Sequence, residues 1–390
     1  MAVRATIQQK SLKGWKLLED FKELLDFCAA ECVPHSTWAD PKRKLAAADY
    51  LCLFLFGLLN PVVRSMRGLC GASQLPRVQE EICTHAVSLD SFSSAQHVLD
   101  PALLEKVFAS LGERLRAQQP ASAAPKGGPR WLIRDSTIWQ ALPRMAWAFW
   151  RTQGPNQNAV RLHLSLHLLE DSPAAAQVRL AASCERKVWR ETWQAGDGYI
   201  GDRYFGEDYR LFGLLAHKGC SFVIRLRGNA VVQVEEELPV SPEDHAAGVL
   251  RQAWVRLGHQ KSQRSARVRL LWVQGPEEVL LLVTNQKPED LSAALVSQLY
   301  RQRWQIELFF RWIKCILGCR HWLAESPAGV ATQIYLALIA ALLLQLYTGA
   351  RPTRRMMELI QFYLLGVATL ADLEKGLASE RARMARKKKK

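Results

Sequence analysis

The stretch LYRQRWQIELFFRWIK, residues 299–314, combines a largely apolar composition with regularly spaced polar side chains. Four of these stand at offsets of 0, 3, 7 and 14, namely Tyr300, Arg303, Glu307 and Lys314. At about 100° per residue of α-helix, the four positions fall within an arc of about 60°. Most other directions carry Trp, Ile, Leu or Phe, so we predict one long helix over residues 288–317 whose polar stripe lines a cleft.

A solvated helix face is the alternative interpretation, because Arg303 and Glu307 have the spacing of an i,i+4 ion pair. Because apolar residues surround the polar stripe on most sides of the helix, a cleft is favoured over a solvated face. At about 1.5 Å per residue, the stripe from Tyr300 to Lys314 is about 21 Å long. Its side chains are therefore expected to follow several phosphates of a nucleic-acid strand rather than one.

Two aspartates each follow a short apolar stretch that is typical of a β-strand. Asp135 ends WLIRD (131–135) and Asp202 ends GYIGD (198–202). Carboxylates that lie close together repel each other unless a cation neutralises them. Mg²⁺ prefers oxygen ligands, and two such ions activate the attacking group and stabilise the leaving oxygen in phosphoryl transfer. We therefore predict two Mg²⁺ ions, with Mn²⁺ as a substitute, at Asp135, Asp202 and Glu307.

The spacing Tyr-x2-Arg-x3-Glu-x6-Lys is a known signature, and the chain resembles the DDE transposases of the fourth insertion-sequence family. LIRDST (132–137) resembles the region of that family's first Asp. GDRYFGEDYRLFGLLAHKGCSFVIRLR (201–227) resembles the region of its second Asp. The segments 56–73 and 91–104 are also similar, so the resemblance covers about residues 45–345.

The resemblance implies an α/β (α+β) fold with a ribonuclease H-like mixed sheet flanked by helices. It also implies an inserted β subdomain and an N-terminal helical domain. Asp135, Asp202 and Glu307 would be the catalytic metal ligands. The DNA contacts would come from Tyr300, Arg303, Lys314, Arg203 and Arg225.

One position departs from the relatives that form DNA hairpins. In those relatives a Trp just before an LLLT-like strand stacks on a flipped base, whereas this chain has Leu280. Trp272, in the preceding strand, is the candidate substitute. Base stacking is worth about 1–3 kcal/mol per base, and a role for Trp272 in the core is the alternative.

Changes in composition along the chain predict its domains. The predicted regions are an N-terminal helical DNA-binding domain (1–116), a Pro/Gly/Ala-rich linker (117–130), the catalytic core (131–227 and 279–350), an inserted β-rich subdomain (228–278), and a C-terminal helical region with a basic tail (351–390).

The charge of the chain indicates a polyanionic partner, for which nucleic acid and the anionic surface of a membrane are the candidates. It has 52 Lys and Arg against 37 Asp and Glu, a net charge of +15. The resemblance implies a cut-and-paste transposase that acts on double-stranded DNA, namely terminal inverted repeats and target DNA, as a homodimer on paired ends. The alternatives are a nuclease without strand transfer and a catalytically inert or domesticated transposase-derived DNA-binding protein.

The predicted location is the bacterial cytoplasm, in association with the nucleoid. The N-terminus MAVRATIQQK has no apolar core of signal-peptide length, and the nine Cys are scattered. Residues 330–347 are apolar enough to span a bilayer, but Gln333 and Gln345 interrupt them. We predict a buried core helix and no membrane partner; a basic membrane-associated protein is the alternative.

Several weaker signals remain. Asp197 is the alternative to Asp202, and a metal clip is the alternative to a core role for Cys315, Cys319 and His321. Additional phosphate contacts are predicted for the basic stretch 259–269, for the tail 387–390, and for Arg64, Arg67 and Arg77. The tail is predicted to be disordered.

Overall fold

The computed structural model describes residues 16–31, 45–118, 128–151, 157–258, 265–319 and 321–388. The chain divides into two compact units. Unit 1 comprises Met1–Gln118, Trp139–Ala159 and Arg311–Lys390, and unit 2 comprises Gln119–Ile138 and Val160–Phe310. All three predicted metal ligands therefore belong to unit 2.

The described residues form fourteen α-helices. They are α1 (Lys16–Glu31), α2 (Ala47–Leu59), α3 (Met66–Ala72), α4 (Pro76–Glu81), α5 (Leu89–Val98), α6 (Ala102–Ala117), α7 (Glu185–Arg190), α8 (Arg210–His217), α9 (Pro242–Ala246), α10 (Ala293–Arg301), α11 (Trp304–Cys315), α12 (Pro327–Thr348), α13 (Arg354–Leu364) and α14 (Leu370–Lys388). The N-terminal region is thus helical, as predicted.

A nine-stranded mixed sheet runs through the described residues. Its strands are β1 (Arg130–Gln140), β2 (Ala159–His167), β3 (Ser172–Leu180), β4 (Asp197–Gly201), β5 (Ser221–Arg225), β6 (Val232–Leu238), β7 (Val249–Leu257), β8 (Val268–Gln274) and β9 (Val279–Thr284). The order is β3-β2-β1-β4-β5-β9-β8-β7-β6. Strands β1, β4 and β5 are parallel to one another. The pairs β2–β3, β5–β9, β9–β8, β8–β7 and β7–β6 are antiparallel.

This topology confirms the predicted fold class, because the order 3-2-1-4-5 of the first five strands is that of a ribonuclease H-like core. The predicted β-rich insertion is present as β6, β7 and β8, and it extends the same sheet through β9. Residues 139–159 and 311–350 fall in unit 1 although the predicted catalytic core includes them. The boundaries of the predicted domains stay a prediction.

The sequence explains why the sheet is covered by helices. All five residues of β4 are buried, as expected for a central parallel strand that is covered on both faces. Aromatic side chains from α7, α8, β5 and the turn after β4 form much of the core, with Trp189 and Phe205 at a centroid distance of 4.4 Å. Burying such large rings is among the strongest contributions to a core.

The predicted long helix is wrong in one respect, because it is interrupted. Helix α10 ends at Arg301, and α11 begins at Trp304. The N–H of Arg303 donates to the carbonyl of Tyr300 (3.0 Å) and the N–H of Gln305 to that of Gln302 (2.9 Å). These i→i−3 hydrogen bonds tighten the junction. The arc of about 60° that was calculated for one continuous helix therefore does not apply across the junction.

Asp135 does not end its strand, contrary to the prediction. Strand β1 continues to Gln140, but its pairing with β4 extends only from Arg130 to Ile133. Asp135 therefore lies just beyond the part of β1 that pairs with β4, where β4 has ended.

Helix α12 is the core helix of unit 1, as predicted. It begins with the Ser326 hydroxyl accepting from the Gly329 N–H (3.0 Å) and ends at Gly349, whose φ of 75° favours glycine. Its apolar segment is long enough to cross a membrane, but 89% of that segment is buried within the protein. Helices α2, α5 and α6 contact it.

The prediction of a disordered tail is wrong as far as the structure describes it. Helix α14 continues to Lys388, and residues 389 and 390 lie outside the described residues, as do residues 119–127 of the predicted linker.

Candidate active site

Asp135 lies on β1, and Asp202 directly follows β4, the parallel neighbour of β1 at the centre of the sheet. Ile133 of β1 pairs with Ile200 of β4, and each aspartate follows its isoleucine by two residues. Side chains two positions apart on an extended chain point to the same face, and neighbouring strands are about 4.8 Å apart. The register therefore brings the two carboxylates together.

The environment of Asp135 disfavours its charged form. The pKa of its carboxyl is raised from 3.8 to about 7, with burial as the largest cause. The Ser136 N–H donates to Asp135 Oδ1 at 2.7 Å, which opposes the rise, and the charge of Asp202 adds to it. Asp202 itself accepts a hydrogen bond from the Tyr204 N–H at 2.9 Å in the turn after β4.

The Arg303 guanidinium lies between Asp135 and Glu307. Its Nη1 is 3.5 Å from Asp135 Oδ2, and its Nη2 is 2.6 Å from Glu307 Oε1. Only 18% of the Arg303 side chain is exposed. The i,i+4 pair of the alternative interpretation is thus present, but its link to Asp135 makes it part of the carboxylate site rather than a solvated face.

Tyr300 and Arg225 complete this group of residues. The Tyr300 side chain is 8% exposed. Burial raises the pKa of its phenol, whereas the charges of Arg303 and Arg225 lower it. Arg225 also forms an ion pair with Glu278. The structure therefore brings six predicted residues together, namely Asp135, Asp202, Arg225, Tyr300, Arg303 and Glu307.

The three carboxylates suit a divalent metal ion by their chemistry, but they are not placed to bind one ion together. Three carboxylates offer the oxygen ligands that Mg²⁺ prefers. Within the described ranges, however, no group of three His, Cys, Asp or Glu side chains is placed to hold a metal. Arg303 occupies the position between two of the predicted ligands, so it has to release Asp135 and Glu307 before both can serve as ligands of one ion.

Two further DNA contacts were predicted, at Lys314 and Arg203. Lys314 belongs to unit 1, and its Nζ is 4.6 Å from the centroid of the Trp139 ring, a distance typical of a cation–π contact. Arg203 is exposed directly after Asp202. Contacts of both residues with DNA stay a prediction.

Trp272 has the packing role that was the alternative to base stacking. It is half-buried on β8 and packs against the core cluster of unit 2. The Arg251 guanidinium covers its ring at 4.4 Å from the centroid, and Arg251 is in turn paired with Glu237. A role of Trp272 in stacking on a base stays a prediction without a contact that supports it.

The predicted phosphate contacts of the stretch 259–269 need a correction at its end. Arg269 is 0% exposed, donates to Gln252 Oε1 (2.6 Å) and to the Leu291 carbonyl (2.6 Å), and cannot reach a phosphate. Arg267 is half-exposed and pairs with Glu235 and Glu236. Residues 259–264 lie outside the described residues.

The remaining candidate residues differ in how deeply they are buried. Asp197 is buried at the start of β4, where Arg130 binds it at 2.9 Å, so it has a structural ion pair. Cys319 is a fully buried core residue whose pKa burial raises to about 12. Arg64, Arg67 and Arg77 are exposed on unit 1, and their contact with DNA stays a prediction.

One acidic residue near the site was missed from the sequence. Glu185, the first residue of α7, has a side chain that is 11% exposed, and it interacts electrostatically with both Asp135 and Asp202. In the sequence it stands in an ordinary helix start, ASCERKVW, where an acidic residue is common. Only the folding of β3 back along β2 brings it to the aspartates.

Comparison with known proteins identifies relatives of the chain. The model of the transposase DDE domain family matches residues 126–343. The inferred transposase y4zB of Sinorhizobium fredii is 26% identical over 70% of this chain and 76% of its own. The inferred transposase of insertion sequence element IS4SA from Synechocystis sp. is 22% identical over 67% and 72%.

A solved structure is similar to a smaller degree. The piggyBac transposase synaptic complex with hairpin DNA is 12% identical, covers 95% of this chain and 82% of its own, and has a TM-score of 0.48.

Proposed function

The chain belongs to the transposase DDE domain family, and on this premise we propose that it cuts DNA at the ends of a mobile element and joins those ends to target DNA. One observation carries the proposal. Asp135 on β1 and Asp202 directly after its parallel neighbour β4 occupy matching positions, and the Arg303 guanidinium contacts both Asp135 and Glu307. This arrangement supports a site in unit 2 that the three carboxylates share.

Asp135, Asp202 and Glu307 are the residues that would hold two Mg²⁺ ions, or Mn²⁺ in their place. When bound, such ions supply a polarised nucleophile and charge stabilisation at the leaving oxygen. Arg303 keeps two of the carboxylates neutralised in the DNA-free protein. A DNA phosphate offers Arg303 another anionic partner, and pairing with it would release Asp135 and Glu307.

The same site supplies groups for the DNA backbone. The Tyr300 phenol interacts electrostatically with Arg225 and Asp202, and the Tyr300 phenol and the Arg225 guanidinium can donate to phosphate oxygens. Arg203, directly after Asp202, would extend these contacts along the strand, and Lys314 of unit 1 is a further candidate contact with DNA. The net charge of +15 supports a polyanionic partner.

The wider parts of the proposal rest on family membership. The N-terminal helices would bind terminal inverted repeats, a homodimer would hold two ends, and the reaction would follow a cut-and-paste course in the bacterial cytoplasm at the nucleoid. Exposed Arg64, Arg67 and Arg77 are the candidate contacts of the N-terminal helices.

The test is a strand-transfer assay. A supercoiled plasmid carrying the DNA that flanks the gene is incubated with a second, target plasmid and Mg²⁺ or Mn²⁺. Wild type should excise the segment and insert it into the target. Glu307→Gln should do neither while still binding the ends. Glu358→Gln is the matched control, because Glu358 is a half-exposed partner of Arg354 in unit 1.

The outcomes separate the alternatives. Cleavage without insertion would replace the proposal with a nuclease. Binding of the ends without cleavage by wild type would favour an inert DNA-binding protein. Equal insertion by wild type and Glu307→Gln would remove Glu307 from the reaction.

A further inference from the structure

The Asp202 carboxylate is held by the turn that follows it, the Asp202 turn (residues 202–208). Asp202 Oδ1 accepts a hydrogen bond from the Tyr204 N–H at 2.9 Å, a bond that aspartates readily form with the backbone two residues on. This bond orients the carboxylate only as firmly as Tyr204 itself is held. The contacts of Tyr204 with the rest of unit 2 therefore determine how well Asp202 is positioned.

Arg186 of α7 contacts Tyr204 in two ways. Its Nε donates to the Tyr204 carbonyl at 3.1 Å, and its Nη2 donates to the same oxygen. The central carbon of the guanidinium also lies 4.2 Å from the centroid of the Tyr204 ring, a distance typical of a cation–π contact. One side chain thus holds both the backbone and the ring of the residue whose N–H binds Asp202.

Glu207, in the same turn, keeps the Arg186 guanidinium in this place. Arg186 Nη2 lies 2.7 Å from Glu207 Oε2, and the two side chains are only 22% and 25% exposed. The other oxygen of Glu207 pairs with Arg227. Because a guanidinium is planar and rigid, its bonds to a carbonyl and a carboxylate fix its orientation as well as its position.

Two further residues of α7 support the Asp202 turn. The ring centroid of Trp189, three residues after Arg186, is 4.4 Å from that of Phe205. Arg190, four residues after Arg186, places Nη2 3.3 Å from Asp208 Oδ2. Residues three and four positions apart share one side of a helix. One side of α7 therefore contacts the turn along its length, and Arg186 is the member that contacts Tyr204.

An ion pair that only stabilises the fold would explain Arg186 and Glu207 alone. It would not explain the hydrogen bonds to the Tyr204 carbonyl or the contact with the Tyr204 ring. We propose that Arg186 is a positioning residue of the catalytic site, which fixes the Asp202 carboxylate through Tyr204. This inference rests on the proposed role of Asp202 as a metal ligand. Groups that orient ligating side chains are worth about 10–100-fold in metal affinity or activity.

The test measures Mn²⁺ affinity rather than turnover. Free Mn²⁺ is followed by electron paramagnetic resonance during titration of the protein bound to a duplex of the DNA that flanks the gene. Arg186→Ala should weaken Mn²⁺ binding by about 10–100-fold. Arg190→Ala is the matched control, because it removes the same charge from the same helix but breaks a pair with Asp208, which keeps Arg210 as a partner. Its Mn²⁺ affinity should stay within about twofold of wild type.

Arg186→Lys separates positioning from charge. Lysine keeps the positive charge beside Glu207, but one ammonium cannot replace a planar guanidinium at the carbonyl, the carboxylate and the ring together. Arg186→Lys should therefore weaken Mn²⁺ binding by about tenfold. Wild-type affinity in Arg186→Lys would overturn the inference, and so would equal affinities of Arg186→Ala and Arg190→Ala. Because Arg186→Lys keeps every charge, it decides the matter even if Arg186→Ala unfolds.

Asp202→Asn distinguishes failure of the inference from failure of the proposed function. If Asp202→Asn binds Mn²⁺ as wild type does, Asp202 is not a ligand, and both fall. If Asp202→Asn loses Mn²⁺ but Arg186→Ala and Arg186→Lys do not, only the role of Arg186 is refuted. Adding Arg186→Ala to Asp202→Asn should cause no further loss, because residues that act through one another are not additive. A further loss as large as that in wild type would contradict an action through Asp202.

Discussion

Replacing Asp135 by Asn should stabilise the metal-free protein at neutral and higher pH. The folded protein holds the Asp135 carboxyl at a pKa of about 7, against an ordinary value of 3.8. Between these two values the folded state binds more protons than the unfolded state, so stability falls as the pH rises from about 4 to about 7. Asn has no proton to lose, and its amide oxygen can still accept from the Ser136 N–H.

The magnitude follows from the size of the pKa change. A rise of about three pH units, at about 1.36 kcal/mol per unit, corresponds to about 4 kcal/mol. Because 21% of the Asp135 side chain is exposed and Arg303 lies 3.5 Å away, water and this cation reduce the effect. We expect Asp135→Asn to be more stable by about 2–4 kcal/mol at pH 8 and by about 1 kcal/mol at pH 4.5.

The assay is thermal unfolding of both proteins in a chelator from pH 4.5 to pH 8, because a bound cation would itself favour the charged carboxylate. Asp372→Asn is the control with the opposite sign. The hydrogen bond from the Thr369 hydroxyl lowers the pKa of the Asp372 carboxyl. Replacing Asp372 by Asn should therefore not stabilise the protein. A wild type that equals or exceeds Asp135→Asn in stability at pH 8 would refute the reasoning about Asp135.

Three further changes test other parts of the account. Arg303→Gln removes the cation between two carboxylates, so the affinity for Mn²⁺ without DNA should rise about tenfold, while the affinity for end DNA falls. Titration with Mn²⁺ and with end DNA checks this, and an unchanged Mn²⁺ affinity would contradict it. Arg269→Met leaves the buried oxygens of Gln252 and Leu291 without their donor and should cost about 1–3 kcal/mol for each. Arg267→Met should cost less than about 1 kcal/mol, and equal denaturation midpoints of the two variants would count against this. Gly206→Ala would place a Cβ 2.2 Å from the Arg225 carbonyl and should cost about 1–3 kcal/mol; an unaltered melting temperature would argue against that close contact.

The sequence predicted the parts of the structure that depend on local pattern. The alternation in β2 and the apolar residues of β4 and β5 indicate strands, and the spacing of Tyr300, Arg303 and Glu307 indicates the site. Each of these signals lies within one short stretch of chain, so no contact between residues distant in sequence is needed to recognise it.

Other features depend on contacts that are distant in sequence. The junction at Gln302 and Arg303 has no Pro or Gly to announce it. Arg269 looks like any other arginine of a basic stretch until Gln252, on the neighbouring strand, accepts its hydrogen bonds. Glu185 is fifty residues from Asp135 in sequence, and the β2–β3 hairpin brings it there.

The most direct test of the central claim compares three single variants on one substrate. An end-labelled duplex of the element end is incubated with Mg²⁺ or Mn²⁺ and wild type, Asp135→Asn, Asp202→Asn or Glu307→Gln, and affinity for the duplex is measured in parallel. We predict that each variant loses cleavage by at least about a thousandfold and keeps its affinity for DNA within a few-fold. Cleavage at a rate near that of wild type by any one variant would contradict the claim that the three carboxylates act together.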